Sequence, residues 1–320
     1  MNPIAIINLK NLRNNIRYIK SKIQSSGIIS IIKANAYGHG YVEILKVLKS
    51  EKVKCVGVAT ITELKEVVKT KSKLDILHLG KIDFNKIEHY LDETVIATIN
   101  TYQDVTLLKS KLKKYQKIRV HIKVDTGMCR MGCDPIDFMK IIKEISRSPN
   151  IIIEGVYSHL ACSEDSDSQN NIDQIIIFKD MLNKIKTRNL KVHLVNSGGI
   201  INYKDCYFDF VRVGLSMYGI SSGIINENLK PVMELVAPVV LIKDVLKGNK
   251  IGYGCTYVVK EKKKIAILQC GYADGIPYNF GNRGYVFFKK QKLPILGKIS
   301  MDLMCIDCTK VKNIKEAHRK

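Results

Sequence analysis

Short runs of β-branched and other apolar residues alternate with longer amphipathic stretches over the first two thirds of the chain. This alternation is typical of strands joined by crossover helices in a parallel sheet. The predicted strands cover residues 28–32, 54–58, 74–79, 94–99, 118–124, 151–157, 191–195 and 209–213. The predicted helices between them include residues 41–49, 61–69, 101–114, 135–147 and 171–188, each bounded by polar residues or glycine.

Eight such alternations favour a closed (β/α)8 TIM barrel. The alternative is an open, doubly wound sheet, whose dinucleotide-binding form carries a G-x-G-x-x-G turn after an early strand. The early predicted strands are not followed by that turn. The sequence therefore predicts an α/β protein in which residues 1–225 form the barrel.

The pattern changes after about residue 226, where strand-like runs separated by glycine and proline replace the alternation of strands and helices. These runs are VMELVAPVVLIKDV, KKKIAILQCGY, YVFFKKQKLPIL and KISMDLMCIDC. We therefore predict a second, all-β domain over residues 226–320. Its closing stretch, KVKNIKEAHRK, is polar and basic and has no strand pattern, so we expect this domain to be incomplete.

The composition is that of an ordinary globular protein, with 46% hydrophobic and 26% charged residues in 320. No stretch approaches the roughly eighteen consecutive apolar residues of a membrane span, and the N-terminal residues lack the order of a signal peptide. Nine scattered cysteines favour free thiols over a disulfide framework. Cys305 and Cys308 have metal-ligand spacing, but they lie in a strand-like run without a second pair, so we predict no metal site. We expect a cytoplasmic protein that does not bind membranes.

The net charge of +22 is the one strong deviation in composition, and such a charge can mark a nucleic-acid partner. The lysines, however, recur along the whole chain, mixed with isoleucine and asparagine. No run interleaves basic and aromatic residues in the way that a single-strand binding surface does. We therefore expect no nucleic-acid partner.

Barrel enzymes build their sites at the carboxyl ends of the strands, so polar residues just after the predicted strands are the candidates for chemistry. The first predicted strand runs directly into Lys33, within IIKANAYGHG. The low dielectric of a barrel mouth favours the uncharged amine, which can form an imine or transfer a proton. The alternative is an ordinary lysine at a strand end that extends into water.

The loops after the seventh and eighth predicted strands commonly hold a phosphate in barrels. Here they contain Asn196, Ser197, Gly198, Gly199 and Gly214, whose backbone N–H groups could approach an anion closely. Taken alone, these are also ordinary turn residues. An imine-forming lysine and a phosphate cradle at the same barrel mouth together point to pyridoxal 5'-phosphate.

Seven motifs occur in one order along nearly the whole chain. They are IIKANAYGHG, HIKVDTGMCRMG, VNSGG, VRVGLSMYG, IGYGCTY, CGYADG and GKISMD. In this order they resemble the alanine racemases, which are pyridoxal-phosphate enzymes built from an N-terminal barrel and a C-terminal β domain. The resemblance implies an isomerase that interconverts L-alanine and D-alanine, supplies D-alanine for peptidoglycan, and works as a cytoplasmic homodimer with shared active sites.

Racemisation removes the α-proton from one face of the substrate and returns a proton to the other, so two proton carriers must flank the α-carbon. The resemblance implies that Lys33 holds the cofactor as an internal aldimine and is one base. It implies that Tyr253 is the second base and reaches the active site of the partner subunit. Tyr257, in the same motif, is interpreted as a packed strand residue.

The resemblance also assigns contacts to the cofactor. Arg212 would donate to the pyridine nitrogen, and His159 would lie by the ring and help to hold Arg212. The remaining cofactor-binding positions, around the phosphate, are Tyr37, Asn196, Ser197, Gly214 and Leu215.

For the substrate, the resemblance implies that Arg130 bonds both the cofactor's phenolic oxygen and the substrate carboxylate. The amide of Met301, with Tyr272 nearby, would help to hold that carboxylate and shape the entrance. Lys123 matches a position that is carbamylated in some members and orients the arginine.

Two alternatives to an alanine racemase stay open on the sequence. The chain stops several tens of residues before typical family members, so it could be a truncated cofactor-binding protein with weak or no activity. It could also racemise another small amino acid such as serine, a choice that Met301, Tyr272 and the entry loops would decide.

Overall fold

The computed structural model describes residues 2–185, 190–221 and 228–317, and the chain divides into two units. One unit is Asn8–Val232, and the other combines the described residues of Met1–Ile7 and Met233–Lys320. Strand β1, Ile4–Ile7, belongs to the second unit because it pairs antiparallel with Met233–Val236. We had expected these first residues in the first domain; the predicted boundary between residues 225 and 226 lies outside the described residues.

The first unit contains a closed barrel of eight parallel strands. They are β2 Gly27–Ile31, β3 Cys55–Val58, β4 Asp75–His78, β5 Val95–Ile99, β6 Ile118–Lys123, β7 Ile151–Tyr157, β8 Lys191–His193 and β9 Phe210–Val213. Pairing of β2 with β9, with Ile29 opposite Arg212, closes the ring. The predicted barrel is therefore confirmed over the open sheet, and each predicted strand corresponds to one barrel strand.

The helices of this unit follow the barrel strands, apart from α1, which precedes them. They are α1 Leu9–Lys22, α2 Lys33–Tyr37, α3 Tyr41–Ser50, α4 Ile61–Lys69, α5 Tyr102–Lys111, α6 Pro135–Ser146, α7 Gln169–Asn183 and α8 Gly199–Asn202. The predicted helix over residues 171–188 ends earlier, at Asn183, and residues 186–189 of that prediction lie outside the described residues. Among the described helices, none is long and apolar enough to cross a membrane.

The apolar strand runs reflect burial on both sides, since helices cover one face of each strand and the barrel interior covers the other. All five residues of β5 are buried, for example. Inside the barrel, Ile29, Leu77 and Ile96 pack in one cluster. Burial of such a side chain contributes about 1.5–3 kcal/mol, so these runs stabilise the framework that holds the loops at the barrel mouth.

The second unit is an all-β structure, as predicted. Its strands are β1 with β10 Met233–Val236, β11 Val239–Val245, β12 Lys250–Ile251, β13 Tyr257–Val258, β14 Lys263–Leu268, β15 Tyr285–Phe288, β16 Gln291–Leu296 and β17 Met304–Asp307. Five of them form an antiparallel sheet in the order β11-β14-β17-β16-β15. Leu268, Ile295 and Ile306 lie in its apolar core.

The closing stretch of the second unit packs on its sheet without forming a strand over its described residues, 310–317. Val311 and Ile314 lie against the core of the sheet. The backbone N–H of Ala317 donates to the carbonyl of Val239 at 2.8 Å, and Ile242 N–H donates to the Glu316 carboxylate at 2.7 Å. The Val239 carbonyl and the Ile242 N–H both belong to β11, which is an edge strand of the sheet. The closing stretch therefore satisfies backbone polar groups along that edge.

Candidate active site

A cavity of about 370 Å³ opens among the loops that follow the barrel strands. Eleven candidate residues predicted from the sequence line it: Lys33, Tyr37, Lys123, Arg130, His159, Asn196, Ser197, Gly198, Arg212, Gly214 and Leu215. Gly199, the other glycine of the predicted phosphate cradle, is not among the lining residues. Most of them come directly after different strands, and closure of the barrel brings them to one mouth. The lining also includes residues that the sequence analysis did not name, among them Tyr157, Ser163 and Glu164.

Lys33 begins a single left-handed turn. The φ angles of Ala34, Asn35, Ala36 and Tyr37 are 51°, 52°, 56° and 54°. For L residues this conformation costs about 1–2 kcal/mol per residue, because Cβ crowds the following carbonyl oxygen. Strain of this kind persists where neighbouring groups fix the backbone, and it concentrates at functional sites.

Several contacts hold this turn in place. Glu63 accepts a hydrogen bond from the Ala34 N–H at 2.7 Å. At the other end of the turn, the His39 ring nitrogen Nδ1 lies 2.9 Å from the carbonyl oxygens of Ala36 and Tyr37. The His39 ring stacks on Tyr218, with ring centroids 4.4 Å apart. These contacts fix both ends of the turn that links Lys33 to Tyr37.

The phosphate-cradle residues predicted after the seventh and eighth strands lie together with Tyr37. The Ser197 hydroxyl accepts a hydrogen bond from the Gly214 N–H at 2.9 Å. A Cβ at position 214 would lie 2.6 Å from the hydroxyl oxygen of Tyr37, so only glycine allows this close approach. Burial raises the pKa of Tyr37, which keeps its hydroxyl a hydrogen-bond donor at neutral pH.

Arg212 is buried, at 3% exposure, and its guanidinium bonds groups from the ends of two neighbouring strands, β7 and β8. Nη2 donates to the carbonyl oxygens of Ser158 and Leu194, at 2.5 and 2.7 Å, and lies 3.0 Å from Nδ1 of His159. Nη1 lies 2.6 Å from Nδ1 of His193. Burial lowers the pKa of Arg212 to about 10, so the guanidinium remains protonated at neutral pH.

The histidines beside Arg212 are neutral acceptors. Burial, followed by the charge of Arg212, holds the pKa of His159 and of His193 well below the usual value. Since Arg212 donates to Nδ1 of His193, the proton of that ring belongs on Nε2, which faces Nδ1 of His121 at 2.9 Å. His121 is neutral too, because burial lowers its pKa to about 3. The hydrogen bond from Arg212 therefore determines the tautomer of His193 and, through it, the tautomer of His121.

Lys123 is buried beside two other cationic side chains. Burial, with the charges of Arg212 and Arg130, lowers its pKa to about 8. Its ammonium also lies 5.7 Å from the centroid of the Tyr157 ring. A substantial uncharged fraction of this amine is therefore present at slightly alkaline pH.

Arg130 lies on a loop that one carboxylate organises. Asp125 accepts the backbone N–H groups of Gly127, Met128, Cys129 and Arg130 at 2.9 to 3.0 Å. Burial alone would raise the pKa of Asp125, but these four donors outweigh it and the pKa is lowered. The backbone that carries Arg130 is therefore fixed by an ionised group at neutral pH.

The other predicted site residues, Tyr253, Tyr272 and Met301, belong to the second unit. Tyr253 is 72% exposed and sits in a turn with positive φ angles at Gly252, Gly254 and Cys255. Tyr272 and Met301 lie on two adjoining segments, since the Tyr272 N–H donates to the carbonyl of Ser300 at 3.1 Å. Tyr257 packs beside an apolar cluster of this unit, in agreement with its interpretation as a strand residue.

Two carboxylates that support the cavity loops were not identified from the sequence, Glu63 and Asp125. Each left a local signal. Thr60 and Glu63 have the spacing of a capping box at the start of α4, and the box forms. Asp125 precedes Gly127 in a turn-like sequence, where an aspartate side chain commonly accepts backbone N–H groups. The spacing of Thr60 and Glu63 does not indicate that Glu63 also bonds Ala34, in the loop after β2.

The family models that match the chain divide it as the fold does. The alanine racemase N-terminal domain matches residues 7–222, and the alanine racemase C-terminal domain matches residues 232–319. The chain belongs to the alanine racemase family. This assignment confirms the resemblance carried by the motifs and the predicted enzyme class, an amino-acid racemase and therefore an isomerase.

Relatives of the alanine racemase family cover nearly all of the chain. The alanine racemase of Borreliella burgdorferi is 36% identical over 98% of this chain and 86% of the relative. The alanine racemase of Clostridium kluyveri is 37% identical over 95% of this chain and 80% of the relative.

Solved structures of alanine racemases are also similar. That of Clostridium difficile 630 has a TM-score of 0.90 at 30% identity, covering 99% of this chain and 85% of its own. That of Bartonella henselae, which has covalently bound pyridoxal phosphate, has a TM-score of 0.88 at 31% identity, covering 99% and 88%.

Proposed function

We propose that this alanine racemase family member interconverts L-alanine and D-alanine with pyridoxal phosphate held in the barrel cavity. The observation that carries the proposal is that Lys33 and the cradle of Ser197, Gly214 and Leu215 line the same cavity. The covalently bound pyridoxal phosphate of the Bartonella henselae racemase and the names of the relatives support it. Since the relatives are named for alanine, we propose alanine rather than serine as the substrate.

The residues around the cavity fit the cofactor. Lys33 supplies the primary amine that an aldehyde requires, and the cradle supplies the Tyr37 hydroxyl and backbone amides at a position that a Cβ would fill. Arg130 and Arg212 give the lining a positive charge that suits a phosphate and a carboxylate. His159 and Asn196, which also line the cavity, complete the proposed set of cofactor contacts.

When bound, the cofactor supplies an electron sink that makes the α-proton of the amino acid acidic. Arg212 is proposed to donate to the pyridine nitrogen. Its pKa of about 10 is far above that of a pyridine, so the guanidinium keeps its proton and leaves that nitrogen unprotonated. A donor that keeps its proton would hold the pyridine nitrogen without protonating it, and this would favour return of a proton to the α-carbon over transamination.

Lys33 and Tyr253 are the proposed proton carriers. Lys33 serves one face of the α-carbon from the barrel mouth, and Tyr253 serves the other face from the partner subunit of a homodimer. The 72% exposure of Tyr253 supports this second assignment, because a hydroxyl that acts in another subunit must project from its own. Each carrier removes the α-proton from one enantiomer, and in the opposite direction of the reaction it gives a proton to the same face and forms that enantiomer.

The substrate carboxylate is proposed to bind Arg130, the amide of Met301 and Tyr272. Arg130 offers a planar set of donors that matches a carboxylate, and Asp125 fixes the backbone that presents it. Met301 and Tyr272 would complete this site from the partner subunit, along with Tyr253.

Lys123 is proposed to be carbamylated. An uncharged amine adds to carbon dioxide and loses one proton, which forms a carbamate. The pKa of about 8 makes the uncharged form of Lys123 available, and the negative carbamate would be stabilised by Arg130 and Arg212. In this form Lys123 would orient Arg130.

We further propose that the enzyme works in the cytoplasm and that its D-alanine enters peptidoglycan. All nine cysteines are free thiols in the structure, a state that a reducing compartment maintains.

Titration of the purified chain with pyridoxal phosphate tests the cofactor proposal. We expect saturable growth of the visible or near-ultraviolet absorbance of the lysine-bound cofactor, and loss of that absorbance in Lys33→Ala. Lys46→Ala, at an exposed position of α3, is the control for non-specific reaction of the many surface lysines. Equal absorbance in wild type and Lys33→Ala would remove Lys33 from its proposed role.

A further inference from the structure

The backbone that follows Lys33 is fixed by a group from a neighbouring part of the barrel. Because Ala34–Tyr37 adopt a left-handed conformation that L residues disfavour, the turn depends on its surroundings. The N–H of Ala34, the first residue of the turn, donates to Oε1 of Glu63 at 2.7 Å. Ala34 directly follows Lys33 in the chain, so the contact lies one residue from the backbone that carries the Lys33 side chain.

Glu63 accepts from two loops at once. While Oε1 bonds Ala34, Oε2 accepts the N–H groups of Ala59 at 2.7 Å and Thr60 at 3.1 Å. Ala59 and Thr60 connect β3 to α4, whereas Ala34 follows β2. One carboxylate therefore ties the turn after Lys33 to the start of the next helix.

The capping box of α5 shows what such a residue does without the additional bond. Asp104 accepts the N–H groups of Asn100 and Thr101 through one oxygen, Oδ2, at 2.8 and 3.0 Å. Both donors belong to the loop that α5 itself follows. Glu63 has the same capping role, and its bond to Ala34 is additional to it.

We propose that Glu63 is a positioning residue for the proton carrier Lys33, acting through the backbone N–H of Ala34. A carboxylate suits this position because all three of its partners are N–H donors, and each of its oxygens can only accept. The role of Lys33 as a proton carrier rests on the proposed function. The stabilisation of the turn by Glu63 does not depend on that function.

Glu63→Gln separates the two roles of Glu63. The amide oxygen of glutamine is expected to face Ala59 and Thr60, since that orientation satisfies two donors. The amide NH2 then faces the N–H of Ala34, and that hydrogen bond is lost while the helix cap remains. Asp104→Asn is the matched control, because one amide oxygen can still accept both N–H groups that bond Oδ2.

The first measurement is hydrogen–deuterium exchange of the chain without cofactor. Loss of a charge-assisted hydrogen bond should raise local exchange about tenfold. We expect that increase in Glu63→Gln over residues 33–38, and exchange close to wild type there in Asp104→Asn. Unchanged exchange over residues 33–38 in Glu63→Gln would overturn the proposal, and this result does not depend on activity.

The second measurement follows α-proton exchange from L-alanine and D-alanine separately, in enzyme saturated with pyridoxal phosphate. If Glu63→Gln misplaces only Lys33, exchange from one enantiomer should slow about tenfold and exchange from the other much less. In Asp104→Asn the ratio of the two exchange rates should stay at its wild-type value. Equal slowing of both enantiomers in Glu63→Gln would overturn the positioning role. If the wild-type enzyme exchanges the α-proton of neither enantiomer, the proposed function is contradicted. The backbone hydrogen–deuterium exchange of residues 33–38 would still show whether Glu63 stabilises the turn.

Discussion

Nη1 of Arg212 donates to Nδ1 of His193 across 2.6 Å, and both side chains are buried. The direction of this bond is fixed, because arginine has only donors and the pKa of His193 lies well below its usual value. The guanidinium also donates to three backbone carbonyls at the ends of β7 and β8, those of Ser158, His193 and Leu194. Arg212 therefore fixes loops of the barrel, in addition to its proposed role as a donor to the cofactor.

Replacement of Arg212 by glutamine should destabilise the fold. Several buried acceptors would lose their donor, at a cost of about 2–4 kcal/mol in the free energy of unfolding. Urea denaturation of the cofactor-free chain measures this change. Arg147→Gln, at an exposed position, is the control and should alter the free energy by less than about 0.5 kcal/mol. A similar small change in Arg212→Gln would contradict the structural role.

Gly214→Ala should weaken cofactor binding with little loss of stability. The new Cβ would lie 2.6 Å from the hydroxyl oxygen of Tyr37, and the tyrosine side chain would be displaced from the cradle. We expect the dissociation constant of pyridoxal phosphate, measured by absorbance titration, to rise by about tenfold or more. If Tyr37 mediates the effect, the same substitution should cost much less in a Tyr37→Phe background. If Gly214→Ala raises the dissociation constant by the same factor in both backgrounds, Tyr37 does not mediate the effect.

The contribution of Lys123 to the stability of the cofactor-free enzyme should rise with pH between about 8 and 10.5. Folding lowers the pKa of Lys123 from 10.5 to about 8, so in this range the unfolded chain binds more protons than the folded chain. The penalty of burying the charge is complete below about pH 8 and amounts to at most about 3 kcal/mol.

Urea denaturation in bicarbonate-free buffer measures this effect against Lys123→Met, which should lose that part of the pH dependence. Identical pH dependence in the two proteins would show that Lys123 does not titrate as a buried amine. Addition of ¹³C-bicarbonate should give a carbamate signal by NMR in wild type and not in Lys123→Met.

Mixed dimers should test whether subunits share active sites. Lys33→Ala and Tyr253→Phe each remove one proposed proton carrier from both sites of the proposed homodimer. A hybrid of the two would have one site with both carriers, so random assortment of an equal mixture should restore about a quarter of wild-type racemisation per chain. Activity that stays at the level of the separate variants would contradict completion of the site by the partner subunit.

Much of the framework could be predicted because its sequence signals are local and repeated. The barrel strands are buried on both faces, so their apolar runs stand out, and each ends where polar residues such as Lys33 or Arg130 begin the next loop. The pairing of β1 with β10 could not be predicted in this way. It joins segments more than two hundred residues apart, and no pattern within either strand specifies its partner.

The candidate site was predictable to the extent that motifs mark it. Eleven of its twelve predicted barrel residues line one cavity, and Gly199 is the exception. What the sequence did not reveal is how these residues are held. The left-handed turn after Lys33 consists of alanine, asparagine and tyrosine, which do not require positive φ, and its conformation depends on contacts from other segments such as Glu63.

The most direct test of the proposed activity is the optical rotation of an L-alanine solution containing the purified chain saturated with pyridoxal phosphate. The account predicts that rotation falls to zero as D-alanine forms, and that it stays constant with Lys33→Ala under the same conditions. A constant rotation with wild-type chain whose absorbance shows bound cofactor would contradict the assignment of alanine racemase activity.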